Sequence, residues 1–110
     1  MREGGGTVPG VATVVKVREA DIQDAIRDYL RYTGWFVIRH QQGLGCHRGL
    51  ADLSATKGGR TLWIEVKTAR GRLSEWQERF RADIEAHGGV YIVARSPEDI
   101  QEALMREGLA

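Results

Sequence analysis

The sequence predicts an α/β domain in which a mixed sheet is flanked by helices. Three observations carry that expectation. An amphipathic stripe opens the ordered part of the chain, where Ile22, Ala25, Ile26, Tyr29 and Leu30 recur at three- and four-residue intervals. Two short strand-like runs meet at Lys57-Gly58-Gly59-Arg60, whose Gly-Gly centre suits a two-residue hairpin. A wholly apolar run, Val90 to Ala94, then lies between two further helical segments, as buried strands do.

The elements follow in order. Residues 1–10 are glycine-rich and end at Pro9-Gly10, so they read as a flexible tail. Val11 to Val17 is β-branched and predicts a short extra strand, free to pair with the sheet or with a second subunit. Residues 1–17 therefore precede a single domain over 18–110. The first helix spans about Glu19 to Tyr32 and closes at Gly34. A strand over Trp35 to Ile38 leads into the glycine-rich loop His40 to Gly49, longer than a simple connection needs and so a candidate substrate contact. Strands over Leu50 to Thr56 and Thr61 to Lys67 form the hairpin. A basic loop, Thr68 to Leu73, leads to a helix opened by Ser74, with Trp76, Phe80 and Ile84 on one apolar face. After Val90 to Ala94, Ser96-Pro97 caps a short C-terminal helix.

Composition bounds the possibilities. The chain has 110 residues, one core's worth, with 42% hydrophobic and 28% charged residues. No apolar run approaches a membrane span, and Met1 to Gly6 lacks the apolar centre of a signal peptide. Cys46 is the single cysteine, which excludes an internal disulfide and a cysteine-based zinc site. These features predict a cytoplasmic protein. Net charge is only +1, but it is unevenly spread. Between Arg39 and Arg72 seven bases face two acids, a net +5, whereas Ser96 onward carries −3. Such a division suits one positive face for phosphates, and equally a scatter of surface bases.

The hairpin yields a geometry. With Gly58 and Gly59 as turn residues, Lys57 faces Arg60 and the same register sets Asp52 opposite Glu65. Alternation places Lys67 on the face of Glu65, and Ala51, Leu53, Ala55, Leu62, Ile64 and Val66 on the other. Facing carboxylates repel by up to about 1 kcal/mol when exposed. A divalent cation would compensate, and Mg²⁺ commonly takes one or two carboxylates plus phosphate and water. Neutralisation of two surface acids by Lys67 and nearby arginines is the alternative.

Other residues have two readings. Glu19 edges the buried stripe and can reach the sheet, or it serves the first-turn helix dipole. Gln77 fits a Ser74-x-x-Gln77 capping box or points at the hairpin, roles that compete for one amide. His40, His47 and His87 lack metal-ligand spacing and read as solvated loop or helix-end residues. Trp35, Trp63 and Trp76 read as packing in or around the core, Trp63 on the face of Glu65.

Taken together, Asp52, Glu65-Val66-Lys67 and Gln77 in the next helix resemble the PD-(D/E)XK pattern in its αβββαβ order. More specifically the chain resembles the VRR-NUC domain, the virus-type replication and repair nuclease module. The likeness rests on Glu19 to Ile26, Gly49-Leu50-Ala51-Asp52-Leu53 (where a proline often replaces Ala51), Trp63 to Lys67, Gly71-Arg72-Leu73-Ser74 and Trp76-Gln77. It covers about Arg18 to Asp99. The resemblance implies a restriction-endonuclease-like fold and Mg²⁺- or Mn²⁺-dependent phosphodiester hydrolysis, with no small-molecule cofactor. It implies metal coordination by Asp52, Glu65, the Val66 carbonyl and Glu19, a water-positioning or charge-stabilising Lys67, and a supporting Gln77. Small stand-alone members are similar in role to Holliday-junction resolvases, occur in phages and bacteria, and tend to be dimers. The expectation is thus a homodimeric endonuclease on branched DNA, with Arg39, Arg48, Arg70 and Arg72 contacting the backbone. A non-catalytic nucleic-acid-binding module, or a nuclease subunit needing a replication or restriction partner, are the alternatives.

Overall fold

A computed structural model describes residues 17–110, so the strand expected over Val11 to Val17 lies, all but its last residue, outside the described residues. The elements are α1 (Glu19–Tyr32), β1 (Phe36–Arg39), β2 (Leu53–Lys57), β3 (Arg60–Val66), α2 (Glu75–Ala86), β4 (Val90–Ala94) and α3 (Pro97–Arg106). The four strands form one sheet in sequence order. β1–β2 and β2–β3 are antiparallel, while β3 and β4 are parallel and joined through α2. The mixed α/β sheet expected from the sequence is present.

The hairpin register follows from its turn. Gly58 and Gly59 both have positive φ, +57° and +78°, the backbone a tight primed turn demands and β-branched residues resist. Lys57↔Arg60, Ala55↔Leu62 and Leu53↔Ile64 then pair as the sequence requires.

The two faces of the sheet are covered unequally. On one, Ile22, Ile26 and Leu30 of α1 and Ile100, Ala103 and Leu104 of α3 pack on Val37, Leu53, Ala55, Leu62, Ile64 and Val66. On the other, α2 packs a smaller cluster of Phe80, Tyr91 and Ala51, edged by Trp63, Leu73 and Ile84. Ala51 is a correction, since strict alternation assigned it to the larger core. β2 starts at Leu53, and the chain before it leaves the ladder, so Ala51 packs towards α2. Beyond the reach of α2, Phe36 and Ile38 on the edge strand β1 stay 68% and 46% exposed. Among the described residues, no helix is long and apolar enough to cross a membrane.

The asymmetry has a measurable consequence. Ile64→Ala, in the fully buried layer, is expected to cost about 2–5 kcal/mol in urea unfolding. Ile38→Ala, on the uncovered face, is expected to cost less than about 1 kcal/mol. Equal costs would contradict the layering.

Candidate active site

The site is built where the hairpin ladder gives out. Pairing of β2 and β3 ends at Leu53↔Ile64, so Asp52 and Glu65 stand just past the last pair. Backbone and side-chain groups of His40 and Gln42 take up the hydrogen bonds there. The His40 N–H donates to the Asp52 carbonyl at 2.9 Å. The His40 ring spans Ala51 O (2.7 Å from Nδ1) and Ser54 Oγ (2.9 Å from Nε2). A carbonyl only accepts, so Nδ1 carries a proton. The Gln42 amide donates to Leu50 O and Ala51 O. His40 is therefore an anchored residue, not the solvated loop histidine expected. These bonds explain why β2 begins three residues later than the sequence suggests.

Freed from the ladder, the Asp52 carboxylate accepts the Val66 N–H through Oδ2 at 2.8 Å. That bond fixes Asp52 beside the Glu65-Val66-Lys67 segment. Glu65 is 1% exposed. Its Oε2 accepts from Gln77 Nε2 at 3.0 Å and lies 3.4 Å from Lys67 Nζ. Its Oε1 is buried without a hydrogen-bond partner.

Gln77 resolves the competition between its two readings. Its Oε1 accepts from Ser74 N (2.9 Å), and its own N–H donates to Ser74 Oγ (3.2 Å), completing the capping box. The other end of the same amide, Nε2, reaches Glu65. An amide has separate acceptor and donor ends, so cap and site share it. One side chain thereby ties the start of α2 to the Glu65 carboxyl.

Loop and helix meet through a position only glycine fits. Gly49 has φ +77°, and a Cβ there would lie 2.1 Å from Trp76 O. This approach docks the long loop on the first turn of α2, next to Gln77.

Electrostatics follow from burial. Desolvation, and then the charge of Asp52, push the Glu65 carboxyl up to about 8, although Lys67 opposes the shift. Tyr91, which pairs with Trp63 in the β3–β4 register, shares the face of Glu65. Its hydroxyl is buried without a partner, and burial, with the Glu65 charge second, raises its pKa above the usual phenol value. Val90 to Ala94 reads in sequence as uniformly apolar, yet Tyr91 brings a buried hydroxyl to the face of Glu65. Strand parity relative to Glu65 was the available signal.

Other expected residues are scattered around this centre. Glu19 lies in the first turn of α1 and, among the described residues, makes no ion pair or hydrogen bond with Asp52, Glu65 or Lys67. Arg39 pairs with Leu53 across the sheet, so it lies on the α1 face, where it meets Asp24 at 2.6 Å. Arg70 and Arg72 join Arg95 around an open cavity of about 400 Å³. Arg95 donates to Thr68 O and Gly71 O and so shapes that loop beside Lys67. Arg48 lies over the ring of Trp76, 4.6 Å from its centroid. Trp76 departs from the core role expected of it, since it is 43% exposed while Phe80, one turn on, is buried.

The donor set fits a hard divalent cation. Among the described residues no group of three or more His, Cys, Asp or Glu side chains is arranged as a metal cage. Two carboxylates with one orphaned buried oxygen match Mg²⁺, which keeps waters and uses few protein ligands.

No protein-family model and no curated protein matches the sequence. Solved structures do match, among them one described as "VRR_NUC domain". The two are 18% identical with a TM-score of 0.69, and the match covers 83% of this chain and 97% of that one. The chain thus has the fold of that VRR_NUC domain, a mixed four-stranded sheet flanked by helices.

The raised Glu65 pKa predicts how stability varies with pH. Below about 4.5 folded and unfolded chains both hold this proton; between 4.5 and about 8 only the folded chain does. The folded state then binds more protons, so this group's contribution to stability falls as pH rises across that window. Without divalent metal, Glu65→Gln is expected to unfold at a higher temperature than wild type at pH 8.5, with the gap closing by pH 5. A gap independent of pH would contradict the assignment.

Proposed function

We propose that the protein is a divalent-metal-dependent endodeoxyribonuclease centred on Asp52, Glu65 and Lys67. The observation that carries this reading is the buried Glu65 carboxylate, with one oxygen engaged by Lys67 and Gln77 and the other without a partner. A purely binding surface has no use for two adjacent acids, which repel phosphate. A stabilising core has no use for two adjacent acids, one of them buried without a donor for its Oε1 and so driven to hold a proton.

Each residue then has a task. Asp52, Glu65 and the Val66 carbonyl would hold Mg²⁺ or Mn²⁺, with Glu19 a further ligand if α1 approaches on loading. The cation supplies Lewis-acid stabilisation of charge on the scissile phosphate. Lys67 places an ammonium where negative charge grows as the phosphorus is attacked, or orients the attacking water. Gln77 fixes the Glu65 carboxylate by a donor that its own helix cap holds still. Asp52 is oriented by the Val66 N–H. Arg48, Arg70 and Arg72 flank this centre and would seat the DNA backbone, fixing position without reading sequence. Arg39 would reach DNA only after leaving Asp24. The fold's likeness to a VRR_NUC domain supports nuclease chemistry, and two copies acting as a homodimer would suit paired cuts in branched DNA such as a Holliday junction.

The test is a cleavage panel. Purified protein with Mg²⁺ or Mn²⁺ is incubated with four-way junction, flap, duplex and single-stranded DNA. Metal-dependent cutting that falls at least about 100-fold in Glu65→Ala is the expected result. Binding without cleavage of any substrate would contradict the nuclease reading. Equal cutting of linear duplex and junction would remove the branched preference alone.

A further inference from the structure

The largest aromatic side chain on α2 does not join the core. Trp76 is 43% exposed, and two guanidinium groups lie by its ring, Arg48 at 4.6 Å and Arg79 at 5.0 Å from the centroid. The three residues line an open cavity of about 460 Å³ together with His47, Phe80 and Asp83. That space is large enough for a nucleotide, within the range of small-ligand sites.

The cavity is built, not incidental. Gly49 brings the loop against the Trp76 carbonyl, and its neighbour Arg48 thereby reaches the indole. Arg79 comes from the next turn of α2, where Glu75 holds it at 3.3 Å. His47 sits against Phe80, with ring centroids 5.5 Å apart. The groove and the catalytic centre share no lining residue, but both are tied to the first turn of α2, where Gln77, the residue after Trp76, donates to Glu65.

Contacts to a duplex backbone need only bases and hydrogen-bond donors. An exposed indole between arginines offers more. It provides a stacking surface for a base, and a base can use it only when unpaired and unstacked from its neighbours. The arginines are displaceable from the ring and carry the charge to meet the flanking phosphates. Asp83, two turns along α2 from Trp76 and also lining the groove, disfavours a second strand's phosphates there.

We infer that this groove holds an unpaired nucleotide of the DNA substrate, its base stacked on Trp76 and its flanking phosphates met by Arg48 and Arg79. This inference rests on the nucleic-acid reading above and names the substrate feature that reading leaves open: a single-stranded or frayed segment. The groove, and not a sequence-reading element, then selects branched over continuous duplex DNA.

Fluorescence anisotropy of the full-length protein in EDTA tests it without cleavage. The probes are a labelled 15-nucleotide oligothymidylate, a blunt 15-base-pair duplex, and the same duplex with a 6-nucleotide tail. Trp76→Ala is expected to weaken binding of the oligothymidylate and the tailed duplex roughly 5- to 100-fold and to change blunt-duplex binding less than about twofold. Trp76→Phe, which keeps a stacking face, retains most of the affinity, and Arg48→Gln lowers the salt dependence on the tailed probe by about one phosphate contact. Equal loss on all probes, or no loss on the tailed one, overturns the groove while leaving the nuclease reading intact. Wild-type protein that binds none of the three overturns both. Trp76→Ala that lowers thermal stability with unchanged affinities reduces the arginine–indole contacts to surface packing, and overturns the proposal too.

Discussion

Burial of the Glu65 carboxyl beside Asp52, with no donor for its Oε1, is the constraint around which the rest of the domain is arranged. A buried acceptor without a partner, still more a charged one, is costly. The chain offsets only part of that cost, through Lys67 and the Gln77 amide. It then places Asp52 alongside, which pushes the proton affinity of Glu65 up further. Such a site is stable enough to form because the opposite face of the same strands is fully apolar. Leu53, Leu62, Ile64 and Val66 are all inaccessible to solvent and anchor β2 and β3 against α1 and α3.

Supporting bonds hold this expensive arrangement in register. The ladder stops at Leu53, and His40 and Gln42 take the carbonyls it leaves. The Val66 N–H, instead of remaining within the hairpin, fixes Asp52. The Ser74 cap fixes Gln77. All of these but the His40 N–H bond to the Asp52 carbonyl join a backbone group to a side chain near the site, so scaffold and chemistry are not separable here. The flanking cavities follow from the same connections. Arg95 shapes the loop carrying Arg70 and Arg72, and Gly49 docks the loop carrying Arg48.

Much of this was legible in the chain itself, for definable reasons. Gly58-Gly59 dictates a turn, the turn dictates a register, and the register brings Asp52, Glu65 and Lys67 to one end and face of the hairpin. The α2 cap was equally visible as Ser74-x-x-Gln77. What escaped were properties of side chains acting across elements. Periodicity marks Trp76 as inward, yet its indole is 43% exposed and lies against arginines from two segments, Arg48 and Arg79. Pattern treats the Gln77 amide as one resource, whereas its acceptor and donor ends face different partners. His40 and Tyr91 gain their places only from tertiary contacts, His40 by replacing ladder bonds and Tyr91 by parity across the parallel β3–β4 pair. Arg39 has the basic character of a DNA contact, but strand alternation turns it to the α1 face and Asp24.

Direct calorimetric titration of the DNA-free protein with Mn²⁺ or Mg²⁺ addresses the central claim, that Asp52 and Glu65 form a protonated pair poised for a cation. Because burial and the Asp52 charge raise the Glu65 pKa to about 8, cation binding near pH 7 is expected to release a proton. Titrations in buffers of different ionisation enthalpy should reveal about one proton liberated per cation at pH 7, falling towards none at pH 9. Affinity should rise over the same interval, and Glu65→Gln should abolish both the binding and the release. Tight binding with no proton release at pH 7, or binding that survives Glu65→Gln, would contradict the account.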